Sequence, residues 1–220
     1  MEKQQCRGLR GAAQKMHNDP VYIIGAGGHA KVVIAALLAN SVSCVGVFDD
    51  DSSLWGKKIL DIPILGAVEE LRDLPSTLAV NAIGNNSTRR AICERFENVN
   101  WLTVIHPHTW IHSSVKIGCG SVVFAGSVIQ PDTVIGKHSI INTSASVDHD
   151  CVIGDFCHIA PGCHIAGGVK IGNEVFLGIA TAVIPYVSIV SNTVIGAGAT
   201  VIENIDNAGV YIGTPARRMD

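Results

Sequence analysis

The chain has 220 residues, 47% of them hydrophobic and 16% charged, with a formal net charge of −3. That length buries a substantial core in one or two domains, and the weak charge leaves no basic footprint for nucleic acid. No apolar run approaches the ~18–20 residues that cross a bilayer, the N-terminus carries no apolar signal-like stretch, and seven cysteines in no compact framework fit a reducing cytoplasm better than a disulfide scaffold.

Residues 1–20 are polar and aperiodic and close on Asn18-Asp19-Pro20, which predicts a flexible extension with no assignable chemistry. Val21–Ile24 then reads as a strand entering the turn Gly25-Ala26-Gly27-Gly28, and His29–Asn40 has helical composition and spacing. Cys44–Phe48 is a second strand closed by Asp49, Asp50 and Asp51, Ala67–Asp73 a short helix, and Leu78–Ile83 a third strand. Ser87–Glu97 reads as a helix capped by Ser87, and Trp101–Ile105 as a fourth strand leading to His106-Pro107. Strands alternating with helices predict a parallel sheet with helical cover, a Rossmann-like α/β domain over residues 21–105.

Beyond it the period changes. Every sixth residue from Ile105 to Val201 is aliphatic, a spacing that neither an α-helix nor an alternating strand imposes. A parallel β-helix does, because each flat face of a triangular coil takes about six residues and sends one anchor inward. Two residues before the anchor the side chain is usually small or β-branched, as at Ser121, Thr133, Ser139, Cys151, Cys157 and Cys163. The residue after the anchor is often glycine (Gly118, Gly136, Gly154, Gly172, Gly178, Gly196), which predicts a corner of positive φ there. Residues 106–220 are therefore expected to form a left-handed hexapeptide-repeat β-helix, with Gly209–Arg218 breaking the period and turning away from the prism.

Gly25–Ala30 fits the pattern G-x-G-x-x-A between a strand and a helix. Small residues there let the backbone approach a phosphate, and the helix start offers free N–H groups. Asp49 and Asp50 close the next strand, where a ribose or base is recognised. NAD fits the pattern alone, but residues 21–105 are too few for a full dinucleotide fold with catalytic machinery, so a mononucleotide or nucleotide-sugar site fits better. His29 adds a donor toward phosphate. In the coil, Asp148-His149-Asp150 places an imidazole between two carboxylates, either of which could fix its tautomer and raise its basicity. Cys157-His158 and Cys163-His164 resemble metal ligands, yet residues six apart fall on different faces, roughly 15–20 Å apart, so they do not converge within one chain. We read those cysteines as packing, expect no metal, and read His106, His108, His112 and His138 as surface residues.

The segments Val21–Ala30 (VYIIGAGGHA), Phe48–Asp50 (FDD), Ala82–Asn86 (AIGNN), Asn142–Asp155 (NTSASVDHDCVIGD) and the terminal GVYIGTPARRM together resemble one family over residues 20–220. It is the bacterial sugar acyltransferase family of the sialic-acid O-acetyltransferase type, especially its nucleotide-linked 4-amino-sugar N-acetyltransferases. The resemblance implies His149 as catalytic base and Asp150 as the acid that tunes it. It implies Gly27, Gly28, His29, Asp49, Asp50 and Gly84 as the nucleotide-sugar site, and His158, Gly167, Ile179 and Ala197 along the acetyl-CoA groove. It further implies a cytoplasmic homotrimer with acetyl-CoA between neighbouring β-helices, serving bacterial surface glycan or glycoprotein synthesis. The competing readings are O-acetylation of sialic acid or a related sugar, and a non-catalytic sugar-nucleotide binder. A zinc hydratase sharing this coil would need two histidines five residues apart, a spacing that no pair here has.

Overall fold

The computed structural model describes residues 20–74, 77–96 and 99–219; the 1–20 extension lies almost wholly outside them. The chain divides into two compact units, residues 1–107 and 108–220. In the first, strands β1 (Val21–Ile24), β2 (Cys44–Phe48), β3 (Lys58–Ile59), β4 (Ile62–Gly66), β5 (Leu78–Asn81) and β6 (Asn100–Trp101) form one sheet in the order β3-β4-β2-β1-β5-β6. Every neighbour pair is parallel except the β3–β4 hairpin. The central strands β1 and β5 are apolar along almost their whole length because helices cover both faces of a parallel sheet.

Helix α1 (Gly28–Ala39) follows β1, and α2 (Asn86–Arg95) follows β5. Three local expectations need correction. The α2 cap is Asn85, whose Oδ1 accepts the Thr88 N–H at 2.9 Å, so Ser87 lies inside the helix. Strand β5 ends at Asn81, because the buried Asn81 side chain accepts the Ile83 N–H at 3.1 Å and bends the chain out of the sheet. The strand expected over Trp101–Ile105 is two short ones, Asn100–Trp101 and Val104–Ile105, while the short helix expected at Ala67–Asp73 is there as the 3₁₀ helix Val68–Asp73. The β3–β4 hairpin gave no turn signal, since Leu60 and Asp61 adopt φ of 46° and 65° without a glycine or asparagine.

The second unit is the expected left-handed β-helix. Its two-residue strands stack in parallel on three faces, each strand pairing with those 18 residues away, as in Val134↔Val152 and Ile153↔Ile171. Nearly every sixth-residue anchor is buried, from Ile111 at 7% exposure to Val201 at 1%. The slot two residues earlier also points inward, and its hydroxyls satisfy the corner carbonyls of the next coil. Ser121 Oγ donates to Gly136 O (2.7 Å), Thr133 Oγ1 to Asp148 O (2.7 Å) and Ser139 Oγ to Gly154 O (2.8 Å). The thiols of Cys151, Cys157 and Cys163 do the same toward Ala166, Gly172 and Gly178 at 3.0–3.2 Å. Those cysteines are packing and capping groups.

Positive φ does not fall on the glycines after the anchors. It recurs at every sixth residue, three positions past each anchor: Gly120, Gly126, Asp132, His138, Ser144, Asp150, Phe156, Gly162, Gly168, Glu174, Ala180, Tyr186, Asn192 and Gly198. The glycines after the anchors answer a different constraint, close coil-to-coil approach. A Cβ at Gly136 would lie 2.5 Å from the Gly154 carbonyl carbon, and one at Gly154 2.6 Å from that of Gly172. The tail also departs from expectation. Val210–Ile212 remains on the prism and pairs in parallel with Val194–Ile195, and Arg217–Arg218 then folds back antiparallel upon it. His138 is buried and stacks on Phe156 with ring centroids 5.1 Å apart.

The anchors carry the stability of the coil. Ile153→Ala, at 1% exposure, is expected to destabilise the protein by ~2–5 kcal/mol, whereas Val152→Ala, next to it and 44% exposed, stays within about 0.5 kcal/mol. Denaturant unfolding of the two variants checks this, and equal losses would contradict the anchor assignment.

Candidate functional site

In the N-terminal unit β1 runs into Gly25 (φ 94°), whose N–H donates to Phe48 O at 2.8 Å, tying the turn to the end of β2. Gly27 caps α1 without a side chain. At Gly27, Gly28 and Gly84 nothing lies within 4 Å of where a Cβ would stand, so these glycines face open space rather than packed neighbours. That space is a cavity of about 400 Å³ lined by Gly27, Gly28, His29, Asp49, Asp50 and Gly84, together with Gly25, Val68, Ile83 and Thr88. All six residues expected at a nucleotide-sugar site thus meet in one place, between the first turns of α1 and α2.

Both carboxylates are already partly engaged. Asp49 accepts the N–H of Ala26 (2.6 Å) on one oxygen and that of Asp51 (2.8 Å) on the other, so it shapes the glycine turn. Asp50 accepts the Val68 N–H at 2.9 Å. His29 is held to a pKa of about 4, first by burial and then by the charge of Arg89. At neutral pH it is a neutral imidazole and brings no positive charge to the cavity.

In the coil, His149 occupies an exposed corner. Its Nδ1 lies 2.7 Å from Asp150 Oδ2, and its backbone N–H donates to Asp148 Oδ1 at 2.8 Å. The bond to Asp150 places the ring proton on Nδ1 and leaves the Nε2 lone pair open. The Asp150 hydrogen bond and the charges of Asp148 and Asp150 raise the imidazole pKa above its ordinary value. One coil further on, Gly167 lies against this ring: a Cβ there would come within 2.6 Å of His149 Nε2 and Cε1.

His158 lies on a different face. Its Nε2 is 3.1 Å from the Asn142 amide nitrogen, and Asn142 is oriented by accepting the Thr143 N–H on Oδ1 at 2.8 Å. The amide therefore donates, and His158 carries its proton on Nδ1. Its ring meets Phe176 edge-on at 5.2 Å. Ile179 and Ala197, both exposed, are 18 residues apart in one corner column next to that face. His158, Ile179 and Ala197 thus share one edge of the prism, while His149 and Gly167 share another. One chain does not bring the two edges together, since a six-residue face separates them by roughly 15–20 Å.

Three features escaped the sequence reading. The His149–Gly167 contact was legible in principle, because residues 18 apart stack. A groove of about 490 Å³ runs along the face between the two edges, lined by Gln130, Ser146, Asp148, His164, Ile184 and Pro185, with Ser146 Oγ 2.8 Å from His164 Nδ1. The third is Arg89, only 1% exposed. A cation in the first turn of a helix opposes the macrodipole, and that was its signal. Among the described residues no three His, Cys, Asp or Glu side chains come together as metal ligands.

A Rossmann-like unit with an open glycine cradle, followed by a left-handed β-helix with a carboxylate-held histidine at its corner, is the architecture of a two-part hexapeptide-repeat transferase. The PglD N-terminal domain model matches residues 20–96, and the bacterial transferase hexapeptide model matches residues 150–178. A histidine variant of perosamine N-acetyltransferase from Caulobacter crescentus, solved with CoA and GDP-perosamine, is 36% identical at a TM-score of 0.87, over 92% of this chain and 98% of that one. The acetyltransferase domain of PglB from Neisseria gonorrhoeae, solved with acetyl coenzyme A, is 33% identical at a TM-score of 0.86, over 92% and 100%. The UDP-N-acetylbacillosamine N-acetyltransferase of Bacillus subtilis (strain 168) is 36% identical over 108 residues, 47% of this chain and 50% of that protein. A protein of Acanthamoeba polyphaga mimivirus is 38% identical over 103 residues, 21% of its length, so the chain's matches span half or less of these curated relatives. The chain belongs to the family of PglD-type hexapeptide-repeat sugar acetyltransferases.

Proposed function

We propose that the protein moves an acetyl group from acetyl-CoA to the 4-amino group of a nucleotide-linked amino-deoxy sugar. The observation that carries this is the corner at His149: a tautomer fixed by Asp150 at 2.7 Å, an open Nε2, and Gly167 leaving room for the ring. An amine cannot attack a thioester while protonated, so the reaction needs a base at the attacking nitrogen. His149 Nε2 takes the proton as the C–N bond forms and the C–S bond breaks, and Asp150 stabilises the imidazolium. A backbone N–H of the Gly167 turn, or His158, meets the oxyanion. CoA leaves as the thiol after taking the proton from His149. Cys151 and Cys157 are fully buried, which supports direct transfer.

The nucleotide part of the acceptor is assigned to the cavity at Gly27, Gly28, His29, Asp49, Asp50 and Gly84, within the α/β domain of residues 21–105. Acetyl-CoA is assigned to the coil of residues 106–220, along His158, Ile179 and Ala197 of one copy, with His149 and Gly167 supplied by a neighbour. The two-edge arrangement supports a homotrimer, in which each site takes one edge from each of two copies. Both substrates are cytoplasmic metabolites, so we place the reaction there; no described helix is long and apolar enough to cross a membrane. The product is assigned to bacterial surface glycan or glycoprotein synthesis.

Asp150→Asn tests the base assignment through pH. The base acts only when deprotonated, so the rate falls as pH drops through the His149 pKa, which Asp150 raises. Removing that carboxylate should move the acid limb of the kcat profile to lower pH while the plateau drops ~10-fold or more. An unmoved acid limb would mean that another group titrates.

A further inference from the structure

The residues lining the N-terminal cavity include Asp49 and Asp50 but no lysine or arginine. A diphosphate entering it would meet two carboxylates, the helix starts and a histidine that is neutral at pH 7. Asp50 has an exposed cation outside the lining, Arg95, whose Nη2 lies 3.8 Å from its Oδ2; a second, buried cation stands behind the wall. Arg89, 1% exposed, donates from Nη1 to the carbonyls of Ile83 (3.0 Å) and Gly84 (3.1 Å), and from Nη2 to Asn86 Oδ1 (2.8 Å). Ile83 and Gly84 are themselves part of the cavity wall.

We propose that Arg89 is the specificity-determining positioning residue of this pocket, making it select ligands that carry a diphosphate over the corresponding neutral nucleosides. This rests on the reading of the cavity as a nucleotide-sugar site and deepens it. Two physical effects combine. The guanidinium draws the Ile83 and Gly84 carbonyl oxygens inward, so the wall does not present them to an anion. It also places a fixed positive charge close behind the wall, within reach of His29, whose pKa it helps to depress. A buried charge is screened far less than a surface one, so its field persists at the ligand. Three bonds in a planar fork suit arginine and not lysine.

The test is calorimetric titration of the full chain with UDP, GDP, uridine and guanosine, for the wild type, Arg89→Met and Arg89→Lys. The wild type is expected to bind one diphosphate about ten-fold or more tighter than its nucleoside. Arg89→Met should bring that ratio close to one while nucleoside affinity stays within about two-fold, and Arg89→Lys, keeping charge without the fork, should fall between. An unchanged ratio in either variant, or equal weakening of nucleoside and diphosphate, overturns the proposal and leaves the site reading standing. If Arg89→Met does not fold, the lysine variant decides alone on the same criterion. A wild type that binds neither nucleotide overturns the proposal together with the reading beneath it.

Discussion

Replacing His149 with alanine lowers kcat by ~10³-fold, the usual worth of a positioned general base. Binding of acetyl-CoA and of the acceptor should stay within about two-fold, because neither substrate is held by the lone pair that takes the proton. His149 is half exposed at a corner and anchors no core residue, so thermal stability should shift by no more than about 0.5 kcal/mol. Steady-state kinetics with separate titrations of each substrate check all three statements. A variant retaining most of its kcat would remove the base from the mechanism. Loss of binding with kcat intact would instead make His149 a residue that holds substrate and not the base. Direct transfer also predicts no acetylated thiol during turnover, and trapping acetyl on Cys151 or Cys157 would replace it with a two-step route.

Gly167→Ala should cost ~10²-fold in kcat without touching His149 chemically. The new Cβ would stand 2.6 Å from Nε2 and Cε1, closer than non-bonded atoms approach, so the imidazole must swing away from the Asp150 carboxylate. A displacement of about 1 Å at a reacting group has that kinetic effect. The ring lies at the surface and can move, so the fold should tolerate the change. Gly136→Ala provides the contrast: its Cβ would meet the Gly154 backbone at 2.5 Å, which cannot swing aside. That variant should lose stability, seen as a lower midpoint in denaturant, while any folded fraction keeps its kcat. If Gly167→Ala instead lowered stability with kcat unchanged, the contact with His149 would have no catalytic meaning.

The fold was legible because two unlike periods meet near His106, and each has one physical solution. A six-residue repeat buries its anchors only as a triangular coil, and a strand–Gly–helix alternation only as a covered parallel sheet. What stayed illegible depended on contacts across coils. Gly118, Gly136 and Gly154 look like turn glycines until neighbouring coils are stacked on them. Some of the true left-handed positions bear Gly120, Gly162 or Asn192, but others bear Phe156, Glu174, Ala180 or Tyr186, residue types that do not announce positive φ and so break the signal. The hairpin at Leu60-Asp61 was hidden for the same reason. At the candidate site the glycine turn and Asp49 were visible, since strand ends and helix starts fix where such residues point. Arg89 carried only the signal of a cation near a helix start, and its burial stays hidden until its carbonyl partners are placed.

The central claim is acetyl transfer to a 4-amino sugar nucleotide. Its most direct test follows CoA release from acetyl-CoA against UDP- and GDP-linked 4-amino-6-deoxy sugars with varied 2-substituents, beside free sialic acid. Fast release with one 4-amino sugar nucleotide, and none with its 4-hydroxy counterpart, is the predicted result. Turnover on sialic acid alone would contradict it and make the protein an O-acetyltransferase.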